Sequence, residues 1–281
     1  MRLALLRRLA RRAMVARAHW RDWRARGARV RLAVCAIFRE EAPFLEEWLR
    51  FHHGVGVEHF YLYDNFSTDD FGAVLAPWVT RGLVTLTAWP HPVGQLAAYR
   101  DCVARRWREA GRIAFIDIDE FLFSPESDDL RPIVAEYGDV PGLLVYGPFF
   151  GANGHRARPD GGVVRAYTRR ATIDFACSGK TIANPRHVRA ITNVHGFEYW
   201  TRETLDTARR THAEGRLTPV FDRLRFNHYW SRSIADLHTK VARGDASTPE
   251  ARQLQWHLDY EARLNEVEDE AILPVARRVL G

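Results

Sequence analysis

The strongest constraint on this chain is an alternation of β-rich apolar runs with amphipathic helical stretches that starts at residue 30. Val30-Arg31-Leu32-Ala33-Val34-Cys35-Ala36-Ile37-Phe38 is almost continuously apolar, the pattern of a strand covered on both faces. Pro43 suits a first helical turn, and Phe44, Leu45, Trp48, Leu49 and His52 then recur at helical spacing up to Gly54. Residues 59–63 and 83–87 read as the next strands, 95–110 as a helix and 113–116 as a buried strand. This βαβ order predicts an α/β fold with a mostly parallel central sheet. Residues 142–230 are more β-like and Gly-rich, and 243–281 read as C-terminal helices. In such sheets ligands bind beyond the carboxyl ends of the strands, so polar residues there are the ones to examine.

Charge divides the chain unevenly. The first 31 residues hold eleven arginines and one acid, Asp22, so this segment carries +10 and the remainder −4 of the net +6. Leu3, Leu6, Leu9, Ala13, Ala16, Trp20 and Trp23 recur at steps of three or four, predicting an N-terminal amphipathic helix in an arm of residues 1–29. An arginine face ending in tryptophans suits an anionic membrane surface at residues 1–26, and a peripheral place on the inner face of the cell membrane. Packing against the body, or initiation at Met14, would explain the arm equally. No nucleic-acid reader motif follows it, and no run approaches the roughly eighteen apolar residues a spanning helix needs. Cys35, Cys102 and Cys177 show neither metal spacing nor a disulfide framework, which suits the cytoplasm. Of forty-one basic residues only Lys180 and Lys240 are lysines, so a lysine here is a candidate for a role arginine cannot fill.

Two strand ends carry chemistry. Phe115-Ile116-Asp117-Ile118-Asp119-Glu120-Phe121 places three acids after a buried strand. Paired carboxylates repel unless a cation or proton joins them, and hard oxygen ligands suit Mg²⁺ or Mn²⁺. Tyr63-Asp64-Asn65-Phe66-Ser67-Thr68-Asp69-Asp70 follows the second strand, as a helix-capping turn or as partners for a base or ribose.

Together with Arg39-Glu40-Glu41, Glu47-Trp48, Gln95, Tyr99, Gly179-Lys180-Thr181-Ile182, Asn193-Val194-His195 and Asn227-His228-Tyr229-Trp230-Ser231, these boxes resemble glycosyltransferase family 92 and its bacterial family-2-like relatives over about residues 32–242. The family usually has Lys-Asn-Glu where this chain has Arg39-Glu40-Glu41. The resemblance implies a GT-A fold in one domain, 30–281, with a nucleotide-binding half at 30–125 and an acceptor half at 126–242. It implies a hexosyltransferase with a DxD motif, using a nucleotide-sugar donor, commonly UDP-linked, and a divalent metal. The acceptor would be a glycan or lipid-linked sugar in cell-surface polysaccharide synthesis. Asp64, Asn65, Arg39, Glu41, Asp117 and Lys180 would then bind the donor, and Asp117, Asp119 and His228 the metal. An inverting transfer needs a general base, for which His195 is first, with Asp174 and Glu198 as alternatives. Two other classes compete: a haloacid-dehalogenase-type phosphatase, which also puts Asp-x-Asp after a strand, and a non-catalytic sugar- or membrane-binding relative.

Overall fold

Strand β1 (Val30–Phe38) lies near the middle of an eleven-stranded sheet and shows why the apolar run has no polar face. Val34, Ala36 and Phe38 enter one core while Ala33, Cys35 and Ile37 enter another on the opposite side. Side chains alternate along a strand, so a strand buried on both faces must be apolar at every position. The computed structural model describes residues 28–201, 203–211, 218–247 and 253–281. The amphipathic helix expected in the basic arm, with its membrane role, falls outside the described residues.

Across the sheet run β13 (Val267–Glu268), β7 (Arg169–Arg170), β6 (Gly142–Phe150), β8 (Cys177–Ala183), β4 (Ala110–Phe115), β1, β2 (His59–Asp64) and β3 (Val84–Ala88). The stretch β4-β1-β2-β3 is parallel, as expected, because a helix returns the chain after β1, β2 and β3. Beyond β4 the expectation of a mostly parallel sheet fails. β8 runs antiparallel to both β4 and β6, and β7 and β13 continue antiparallel, so the whole sheet is mixed. Three further strands lie off this path: β5 (Glu120–Phe123) pairs antiparallel with β12 (Arg225–Tyr229), which also lies parallel to the end of β6. β11 (Leu205–Asp206) joins β6, and β9 (Val188–Ile191) with β10 (Phe197–Tyr199) forms a separate hairpin.

Helices Ala42–Gly54 and Phe71–Thr80 cover one face, and helix Gln95–Arg106 with the β9–β10 hairpin covers the other. The helix read over 95–110 stops at Arg106 because β4 begins at Ala110. The C-terminal stretch is not wholly helical. Helices Ile234–Arg243, Leu254–Glu261 and Leu273–Leu280 are interrupted by β13, which pairs with β7. The last helix packs on helix Ala42–Gly54 so closely that a Cβ on Gly54 would meet Val279 Cβ at 2.6 Å. Gly54 is therefore a packing requirement and the last residue of its helix, not merely a stop. Among the described residues no helix is long and apolar enough to cross a membrane, and all three cysteines are free thiols.

Candidate active site

The acid box sits in the turn between β4 and β5, at the carboxyl end of the parallel strands. Helix Ala42–Gly54 holds it from below. Trp48 Nε1 donates to the Glu120 carbonyl at 2.9 Å, and His52 Nε2 accepts the Leu122 N–H at 3.0 Å. His52 Nδ1 must then carry the proton, which it donates to the Trp48 carbonyl at 2.8 Å. Burial holds this imidazole neutral, lowering its pKa to about 3. Ile118, buried in the main core, pins the turn, and the Tyr229 N–H caps it by donating to the Asp119 carbonyl at 2.8 Å. Asp117, Asp119 and Glu120 consequently line one cavity of ≈ 280 Å³.

The two aspartates meet different partners. Asp117 is saturated: its Oδ1 accepts from Gln95 Nε2 at 2.8 Å and Tyr99 Oη at 3.4 Å, and its Oδ2 lies 2.5 Å from Lys180 Nζ. Lys180, on β8, also reaches Glu120 Oε2 at 3.2 Å. Burial disfavours its charge, but Asp117 and Glu120 outweigh that and raise its pKa. Burial pushes the Glu120 carboxyl up to about 8 even against Lys180.

Asp119 faces two late elements. Lys240 Nζ, from helix Ile234–Arg243, lies 2.6 Å from Asp119 Oδ2 and donates to the Trp230 carbonyl at 2.9 Å. His228 Nε2, from β12, lies 3.5 Å from the same Oδ2. Burial opposes ionisation of Asp119, yet Lys240 and His228 hold its carboxyl well below the usual range. Behind His228, Nδ1 stands 3.5 Å from Glu120 Oε1, and both atoms are buried without another hydrogen-bond partner. With Glu120 ionised, a proton on Nδ1 directed at it would leave the Nε2 lone pair toward Asp119, the arrangement a metal-ligating histidine uses. Both lysines of the chain thus end on the aspartates of one box, and the Lys240 side chain is largely buried.

No group of three or more His, Cys, Asp or Glu side chains among the described residues forms a ready cage for a metal. Asp119 and His228 do fit as two ligands of a cation whose other positions come from ligand oxygens and water. Asp117 fits less well, since both its oxygens are engaged by neutral donors and an ammonium.

The other sequence candidates divide. Arg39, Glu41, Asn65, Lys180 and His195 line the same cavity. Asn65 is buried and spends its amide on the Trp89 and His91 carbonyls at 2.9 and 2.8 Å, tying β2 to the loop after β3. Asp64 accepts the Ser67 N–H at 3.0 Å, the turn role allowed for it, and does not line the cavity. His195 Nδ1 donates to the Gly179 carbonyl at 2.9 Å, so the lone pair of the neutral ring is on Nε2. Burial and Lys180 lower its pKa. Glu198 pairs with Arg189 and borders a neighbouring cavity, which His195 also lines, while Asp174 borders neither.

Sequence reasoning missed Arg232 and Arg243, which converge on buried Glu41. Arg232 Nη1 lies 2.6 Å from Glu41 Oε2, and Arg243 pairs with Oε1. Among thirty-nine arginines no compositional signal marks these two. For Lys240 the scarcity of lysine was the available signal.

The model of Glycosyltransferase family 92 matches residues 30–216. A family 92 protein of Oryza sativa subsp. japonica is 35% identical over 143 residues, covering 50% of this chain and 24% of its own length. One of Ricinus communis is 30% identical over 173 residues, covering 59% of this chain and 31% of its own length. The chain thus spans about a quarter to a third of these relatives. Among solved structures, S. aureus TarS 1-349 in complex with UDP is similar at a TM-score of 0.36 and 14% identity, over 46% of this chain and 38% of that one. With the family model covering 187 of 281 residues, and the acid box inside it, the chain belongs to glycosyltransferase family 92.

Proposed function

We propose that this chain transfers a hexose from a nucleotide sugar, UDP-linked, to a glycan or lipid-linked acceptor, with inversion and with Mn²⁺ or Mg²⁺ as cofactor. The observation that carries the reading is the convergence of Asp119 and His228 at the edge of a cavity beyond the parallel strands, in a family 92 chain. Asp119 Oδ and His228 Nε2 would hold the metal, which when bound supplies Lewis-acid stabilisation of the departing diphosphate. Asp117 acts as a hub that fixes Gln95, Tyr99 and Lys180 around the donor. Arg39 and Asn65 line the nucleotide end, with Asp64 shaping the turn between them and the next helix.

His195 is the base in this reading. A base must reach both donor and acceptor, and His195 borders both the donor cavity and the adjoining one walled by residues 193–199. With Nδ1 donating to the Gly179 carbonyl, the neutral ring presents Nε2, which can take the acceptor hydroxyl's proton. The placement of Asp117 disfavours the phosphatase alternative, because a carboxylate held at both oxygens is a poor nucleophile. The membrane role of the arm remains part of the proposal and would place the enzyme beside lipid-linked acceptors.

The test is transfer or hydrolysis of a panel of UDP-, GDP- and CMP-sugars with Mn²⁺ and with chelator. Turnover that needs the metal and is lost in Asp119→Ala supports the reading. Metal-independent turnover with that variant fully active would falsify the metal assignment, and donor binding without turnover would favour a non-catalytic relative. Liposome flotation with and without residues 1–30 tests the arm, and equal binding by both forms ends the membrane proposal.

A further inference from the structure

We propose that helix Ile234–Arg243 is a diphosphate clamp, whose cations Lys240 and Arg243 rest on Asp119 and Glu41 and transfer to the donor's phosphates when the cavity fills. This rests on the nucleotide-sugar reading and deepens it by naming the residues that take the leaving group.

Three observations support the clamp. Lys240 and Arg243 are three residues apart on the last turn of one helix, so their side chains emerge on neighbouring faces, and both line the donor cavity. Each covers a carboxylate that has another claimant. Glu41 already has Arg232, a buried side chain, with its guanidinium 2.6 Å from Oε2 and 3.6 Å from the centre of the Phe44 ring. One carboxylate held by two guanidiniums leaves a surplus positive charge, and Arg243 is the more exposed of the two cations. On the other side, Lys240 occupies the same Asp119 Oδ2 atom that His228 faces. A divalent cation and an ammonium on one oxygen repel, so a cation bound by Asp119 and His228 displaces Lys240 from it.

Lys240 keeps a second anchor while this happens. Its ammonium donates to the Trp230 carbonyl at 2.9 Å and lies 5.4 Å from the Trp230 ring centre. Arg243 is anchored in the same way by the Arg39 carbonyl at 2.5 Å. Both heads can therefore leave a carboxylate without leaving the cavity rim. The cavity's charge balance calls for such an exchange. Arg39, Lys180, Lys240 and Arg243 face five carboxyl groups, those of Glu41, Asp117, Asp119, Glu120 and Asp245. A divalent cation that takes over Asp119 releases Lys240 and so adds positive charge where a diphosphate would enter.

Calorimetry on the full chain with Mn²⁺ alone, then with pyrophosphate and UDP at saturating Mn²⁺, tests the clamp. In Lys240→Met, Mn²⁺ alone should bind about tenfold or more tighter, because the competing charge is gone. Pyrophosphate and UDP should bind about ten- to hundredfold more weakly, the worth of one hydrogen bond between charged groups. Lys240→Arg keeps the charge and should retain most of the pyrophosphate affinity, which separates a phosphate contact from a packing effect. Unchanged affinities in Lys240→Met overturn the clamp, as does an unaltered chain that binds no pyrophosphate. Pyrophosphate binding without UDP binding leaves the clamp standing and sinks the uridine assignment instead.

Discussion

Asp117 and Asp119 are two residues apart, yet they belong to different regions of the molecule. Asp117 faces β8 and helix Gln95–Arg106, where Lys180, Gln95 and Tyr99 saturate it. Asp119, the more buried of the two, faces β12 and helix Ile234–Arg243, where Lys240 and His228 share one oxygen. The Lys180 pair has the geometry of a structural fixture and the Lys240 pair that of a shared seat. Spacing alone puts two carboxylates at one strand end, whereas the partners separate a carboxylate engaged at both oxygens from one whose pairing is shared at a single oxygen.

The contrast breaks most readily at Lys180. Lys180→Met leaves Asp117 and Glu120 buried and adjacent without their cation, so it should cost about 3–5 kcal/mol in urea unfolding. Lys240→Met should cost less than that, because Asp119 keeps His228 3.5 Å from the same oxygen as a second partner. Equal losses would erase the distinction. In the second pair, Asp119→Asn should lower kcat about a hundred- to a thousandfold, read from steady-state transfer once a donor is identified. Glu120→Gln sharpens the link between the two ends. It removes the titratable carboxyl 3.5 Å behind His228 Nδ1, and should weaken Mn²⁺ affinity about ten- to a hundredfold above about pH 8, where Glu120 is ionised. An unchanged affinity would mean that Glu120 serves only Lys180.

The scaffold under both aspartates can be probed with acid. His52 is neutral in the fold down to about pH 3. In the unfolded chain it protonates near its ordinary value of about 6.5. The unfolded state therefore binds more protons between these values, and stability falls with decreasing pH by about 1.4 kcal/mol per unit. Above about pH 6.5 this contribution to the slope vanishes. His52→Gln should flatten the slope between pH 6 and 4 relative to the unaltered protein, measured by urea titration at each pH. A parallel pair of curves would show that His52 does not carry it.

Legibility along the chain follows the connections. Strands β1 to β4 and their helices were readable because each is a local run with its own periodicity and a helix between neighbours. The antiparallel half was not, since β6, β8, β7 and β13 meet residues far away in sequence. β13, two residues long between helices, has no local signature at all. The site divides in the same way. The box 117–120 stood out as acids framed by apolar residues, while Lys240, Arg232 and Arg243 come from more than a hundred residues later.

By itself, the sequence determined the α/β order, the apolar strands buried on both faces, and the strand end where two aspartates converge. These follow from backbone periodicity and from burial, which act locally. Only the tertiary structure decided that Lys180 locks one aspartate while Lys240 and His228 share the other. A charge pairs with whichever opposite charge the fold brings within about 3 Å, and that distance is set by how the sheet closes, not by spacing along the chain.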